Sequence, residues 1–232
     1  MKPVLLLALN YVREQRWAVI LLVAWVLLGT ILSRVGEFGR EDILFFVKQQ
    51  AIYAVAVSAF LAASCIHTER RTRRILAVLS KGIERGQYLA GLLGGVLLVT
   101  GIYLIAMGIL GSLMFHAAGM AVSYLWRLLA LLLPACGLAA TTALLFSTFT
   151  PPLLALALSA TALGVNAVLT TVGVTCYFLP VYALLEGIMD YAGAPQGTSR
   201  WLPAMWAILQ AIVLWLLASW IFGRRDIAVA VE

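Results

Sequence analysis

Residues 67–85 read His-Thr-Glu-Arg-Arg-Thr-Arg-Arg-Ile-Leu-Ala-Val-Leu-Ser-Lys-Gly-Ile-Glu-Arg, and six of the chain's sixteen Lys and Arg residues fall in this stretch. Side chains of these types contact a charged partner or lipid headgroups; they do not make a bond-forming set. The nearest glycine–lysine combination, Ser80-Lys81-Gly82, lacks the G-x-x-x-x-G-K-[ST] spacing with which backbone amides cradle phosphates. Neither G-x-S-x-G nor H-E-x-x-H occurs. His67 and His116 do not cluster, and Cys65, Cys136 and Cys176 have no metal-type spacing. The expectation is a non-enzyme, with no catalytic residue, metal or cofactor on this chain. Any nucleotide hydrolysis must then come from another polypeptide.

The elements that hold this basic stretch are unlike those of a soluble domain. Of 232 residues, 63% are hydrophobic and 11% charged, against about a quarter charged in a soluble domain. Mean hydropathy is +1.02. A water-soluble globule of this size could not hide so much apolar surface, so the class is an all-α integral membrane protein. The net charge of +6 does not argue for nucleic acid, because Lys and Arg on the cytoplasmic side account for most of it.

A transmembrane helix needs roughly 17–25 mostly apolar residues. Six such spans are expected, at about 17–33, 46–66, 89–115, 125–149, 153–174 and 201–222, with the first extending toward Val35. Pro151 and Pro152 mark a tight turn between the fourth and fifth. Residues 3–16 read as a short amphipathic helix on the cytoplasmic face, with Leu5, Leu9 and Val12 on its apolar side. The stretch from Val4 to Leu9 barely reaches the length of a secretory signal, and no small-residue cleavage site follows. With the N-terminus inside, eleven basic residues are cytoplasmic and five are outer. Both termini are therefore expected inside a plasma (inner) membrane, in a multi-pass topology.

The span centres carry neutral polar groups, among them Tyr53, Ser58, Thr100, Thr141, Thr142, Ser147, Thr161, Asn166 and Gln210. Most are expected to hydrogen-bond between helices. Tyr53 and Asn166 are candidates for a translocation path. Gly91 and Gly95 form a G-x-x-x-G step, expected to serve packing within the chain. Residues 175–200 are apolar for an outer connection and fit a helical hairpin in the outer leaflet. Glu186 and Asp190, at i, i+4 spacing, share a face there. They are candidates for an outer gate, with anchoring as the plainer role.

Ile75, Leu76, Val78 and Leu79 give the basic loop an apolar stripe at helical spacing. It can rest on headgroups as a positive-inside anchor, or dock in a partner's groove. Glu69, then Ile75-Leu76-Ala77-Val78-Leu79-Ser80, then Glu84-Arg85-Gly86-Gln87-Tyr88-Leu89-Ala90-Gly91 resembles the first cytoplasmic loop of ABC-2 type transporter permeases. Phe222-Gly223-Arg224-Arg225-Asp226-Ile227 is similar to that family's finish after its sixth span. Gly82 stands where the family often has proline, and Arg73-Arg74 replace its usual Gly-Thr.

The resemblance implies one transmembrane permease domain, 1–232, with six helices in the ABC-2 (type V exporter-like) architecture and an N-terminal interfacial helix. It implies that loop 67–88 couples to a separate ABC ATPase through Glu69, Arg70, Arg71, Arg74, Leu79, Glu84 and Arg85. It also implies a second permease chain, identical or related, and ATP with Mg on the ATPase partner. Membrane lipid completes the set of partners. The expected function is export of an amphipathic or lipid-like substrate. The alternatives are a non-transporting membrane scaffold or assembly factor, and a haem-exporter-like permease.

Overall fold

The computed structural model describes residues 2–35, 39–71, 84–171, 178–186 and 201–224. Among these, every regular element is an α-helix. They are α1 (Lys2–Glu14), α2 (Arg16–Val35), α3 (Arg40–Arg71), α4 (Arg85–Ala117), α5 (Val122–Ser147), α6 (Pro152–Thr171), α7 (Val181–Glu186) and α8 (Trp201–Arg224). In hydrocarbon each peptide group must find its partner within its own segment, and a helix provides this.

Four helices, α3, α4, α5 and α8, are long and apolar enough to cross a membrane. A fifth crossing is available if α1 and α2, bent by 63° at their junction, form one broken span. The apolar part of α6 within the described residues, Pro152–Val165, is shorter. The chain thus has the helices of an all-α membrane protein.

The elements begin and end where local chemistry dictates. The Gly39 N–H donates to Asp42 Oδ2 at 2.9 Å, and Glu41 and Asp42 lie in the first turn of α3. This half of a capping box and the favourable helix dipole start α3 at Arg40, upstream of the apolar run. Between α5 and α6, the Pro151 carbonyl accepts from the Ala155 N–H at 2.9 Å. Pro152 then opens α6, at the position where its missing N–H costs nothing.

Helix α5 is the centre of the bundle, packing on α3, α4, α6, α7 and α8. The small-residue run Ala135-Cys136-Gly137-Leu138-Ala139-Ala140 explains its place. Five of these six residues are buried, and small side chains let neighbouring backbones approach. Two hydroxyls bond across the α3–α5 contact. Ser58 donates to the Cys136 carbonyl at 3.1 Å, and Ser147 to the Ala63 carbonyl at 2.8 Å. Between α3 and α4, the Tyr103 hydroxyl donates to Gln50 Oε1 at 2.5 Å, both residues being buried.

Not every polar residue bonds across helices. Thr100, Thr141, Thr142 and Thr161 close on carbonyls three or four residues back in their own helices. A threonine inside a helix satisfies its hydroxyl most cheaply in this way. Of the span-centre residues named from the sequence, Ser58 and Ser147 bond between helices, and Gln210 Oε1 accepts from the Leu179 N–H, just ahead of α7, at 2.7 Å.

The side of α1 that packs on the bundle is not the one that carries Leu5 and Leu9. Leu5 and Leu9 are exposed, whereas Ala8 and Tyr11 are buried against α4. The cause lies in α4: a Cβ at Gly91 would stand 2.8 Å from Leu7 Cβ, and one at Gly95 would stand 2.7 Å from Tyr11 Cβ. The two glycines of the G-x-x-x-G step are holes that Leu7 and Tyr11 fill.

Candidate functional site

The basic loop leaves the bundle at the end of α3 and returns at the start of α4, and both roots are tied down. Two residues before the end of α3, Glu69 Oε2 accepts a hydrogen bond from the Tyr88 hydroxyl at 3.0 Å. Tyr88 lies in the first turn of α4 and is wholly buried, while Glu69 is half-buried. This bond joins the two ends of the loop across nineteen residues of sequence.

Arg85, the first residue of α4, reaches the C-terminus of α8. Its Nη1 donates to the Gly223 carbonyl at 2.8 Å and to the Phe222 carbonyl at 3.3 Å. The last carbonyls of a helix have no intrahelical donor and carry the negative end of its dipole, so a guanidinium satisfies both needs. Gly86, the next residue of α4, also faces α8: a Cβ there would lie in ordinary contact, 3.9 Å from Ser219 Cβ. The fourth neighbour at this end is α1, whose Tyr11 hydroxyl donates to the Leu61 carbonyl of α3 at 3.3 Å. One bundle end therefore gathers α1, α3, α4 and α8 around the loop's two roots.

The candidate residues divide accordingly. Glu69 and Arg85 are held in this cluster. Glu84 is exposed in extended backbone just ahead of α4, with no side-chain capping bond. Arg70 and Arg71 form the last residues of α3, and their side chains lie outside the described residues. Arg74 and Leu79 lie outside the described residues altogether.

Elsewhere, Tyr53 packs edge-on against Trp25 of α2, with ring centroids 6.2 Å apart. Asn166 belongs to the backbone of α6, and its side chain is outside the described set. Glu186 ends α7, its side chain likewise undescribed, and Asp190 lies outside, as does the second half of the expected outer hairpin. What is described of that hairpin packs onto the bundle through Leu179, Val181 and Leu184, all buried.

Two residues of the cluster carried no signal of their own in the sequence. Tyr88 was visible only as part of a Tyr-Leu pair opening the third span, and Ser219 as one serine in an apolar run. No protein-family model matches the chain, nor does any curated protein or solved structure.

Proposed function

We propose that the chain is the permease subunit of an ATP-binding-cassette exporter of the ABC-2 type. In this reading it has six spans and both termini in the cytoplasm. Loop 67–88 takes up mechanical work from separate ATPase subunits, which hold the ATP and Mg. A second permease chain completes the path, and the substrate is amphipathic or lipid-like.

The observation that carries the reading is the double anchoring of the loop's roots. A force on a tethered but unanchored loop would be lost in side-chain rearrangement. Here the Glu69–Tyr88 bond and the Arg85 contacts with the end of α8 pass a displacement of the loop to α3, α4 and α8 together. Charged groups at such a docking surface set register and partner choice more than affinity.

The test is purification of the tagged chain in mild detergent and identification of the ATPase that accompanies it. In vesicles holding both, Leu79→Ala and Glu69→Ala are expected to uncouple ATP hydrolysis from export. Labelling of a cysteine placed within residues 72–83 from outside the cell would overturn the proposal, as would export by the isolated chain without an ATPase.

A further inference from the structure

Helix α5 changes its packing at Pro134. Eleven of the thirteen residues from Ala135 to Ser147 are buried, whereas from Val122 to Pro134 only Leu125, Leu128, Leu129 and Leu132 are. The second half is also bonded to α3, by Ser58 to the Cys136 carbonyl and by Ser147 to the Ala63 carbonyl. The first half interlocks with the second half of α4. A Cβ at Gly108 would stand 2.6 Å from the Trp126 ring, and one at Gly111 would stand 2.9 Å from Leu125 Cδ2.

The helix is weakened at the same boundary. Pro134 has no N–H, so the bond to the Ala130 carbonyl cannot form. Gly137 follows within one turn, and a glycine inside a helix costs about 1 kcal/mol against alanine. One turn further, the Thr141 hydroxyl donates to the Gly137 and Leu138 carbonyls, a back-bond that bends helices. Pro134, Gly137 and Thr141 share one face, which borders a cleft of about 1200 Å³ between α1, α4, α5 and α8. Gly101, the middle residue of α4, borders the same cleft, and a Cβ there would meet nothing within 4 Å. Both helices of the α4–α5 hairpin are thus weakened at mid-length, on a side that faces open space.

We infer that the second half of α4 and the first half of α5 form one body that pivots about Gly101 and Pro134, relative to α3 and the second half of α5. Prolines are frequent in membrane helices; what sets this one apart is its place between a clamped half and a half packed on one stripe. Helix α3 is the fixed reference, because its residues include neither glycine nor proline. The Gln50–Tyr103 bond lies two residues from Gly101, about 3 Å along the helix, so a swing hardly stretches it. Ser123 is about 16 Å from Pro134 at the helical rise per residue. A swing of about 20°, the size of a proline kink, carries it about 6 Å sideways. The inference does not rest on the transport reading.

Double electron–electron resonance on the full chain in lipid bilayers tests the pivot. Spin labels go on Phe45→Cys of α3 and Ser123→Cys of α5, both exposed positions; Cys65 and Cys136 are buried, and Cys176→Ser removes the third thiol. A control pair on Phe60→Cys and Phe149→Cys, also exposed, reports the clamped half. The 45–123 distances are expected to spread about 6 Å more widely than the 60–149 distances. Pro134→Ala restores the N–H and is expected to remove that excess. Gly137→Ala, whose Cβ would meet only Leu97 at an ordinary 3.7 Å, is expected to reduce it. Equal spread at the two pairs would overturn the pivot, as would a 45–123 spread unchanged by Pro134→Ala.

Discussion

Replacing Tyr88 by phenylalanine removes one oxygen atom from the loop's roots and leaves the buried ring in place. The lost interaction is the 3.0 Å bond to Glu69 Oε2. A hydrogen bond to a charged group contributes about 1.5–3 kcal/mol in a folded protein. Between membrane helices the measured average is nearer 0.6 kcal/mol, with a maximum of about 1.7. Tyr88 is wholly buried, which argues for the upper part of that range, whereas Glu69 is half-buried, so water recovers part of the loss. The expected cost is therefore about 1 kcal/mol, or about a fivefold change in the folding equilibrium. It is measured by equilibrium unfolding in mixed micelles of rising dodecyl sulfate fraction, followed by circular dichroism. Glu69→Ala should cost a similar amount, and the double variant should cost less than the sum of the two. Strict additivity within about 0.3 kcal/mol would show that the two residues do not act as a pair, and the tie between the loop's ends would have to be abandoned.

Two further outcomes follow from the packing. Tyr103→Phe orphans the buried Gln50 Oε1 and should destabilise the fold by about 1–2 kcal/mol; Gln50→Leu should cost less, because the Tyr103 hydroxyl still has the residue 50 carbonyl at 3.3 Å. The same unfolding assay checks the order, and equal costs would contradict it. Gly95→Leu drives a side chain into Tyr11, whose Cβ lies 2.7 Å from the position a Cβ would take. It should lose about 1–3 kcal/mol of stability and expose α1 to limited proteolysis, whereas Gly101→Leu, with open space around it, should do neither.

The sequence made the long apolar helices legible, because a membrane imposes one strong constraint on length and hydropathy. The ends of α3 were less so: its apolar run is extended by residues 40–45 through a cap at Gly39 that hydropathy does not register. The packed side of α1 could not be read from its apolar side alone. A helical wheel separates apolar from polar, and in a lipid-facing chain the most apolar side need not be the packed one. Leu5 and Leu9 point outward, while Ala8 and the amphipathic Tyr11 point in, because glycines on another helix receive Leu7 and Tyr11. The loop's charge was obvious, but its anchoring was not. Arg85 meets carbonyls more than 130 residues away, and no local pattern announces such a contact.

The strength of the loop's anchors bears on how a coupled subunit could work. A conformational cycle requires two states whose contacts differ, and a partner can shift their balance only by its differential affinity for them. Contacts worth ten kcal/mol would lock one state, and contacts worth nothing would transmit no force. The Glu69–Tyr88 bond and the Arg85 cap are each of about 1 kcal/mol, small enough for a docking partner to exchange and large enough to hold register between events. They also act on different neighbours. Releasing Glu69 loosens the end of α3 from α4, whereas releasing Arg85 loosens the start of α4 from the end of α8. If the loop is the point of drive, the two bonds need not break together, and a variant at each should fail differently. Tyr88→Phe would loosen the α3 root while α4 and α8 still move as one, and Arg85→Met would do the reverse. Indistinguishable behaviour of the two variants, with spin labels on α3 and α8 reporting the separations, would argue that the bundle end moves as a single block and that the anchors are static.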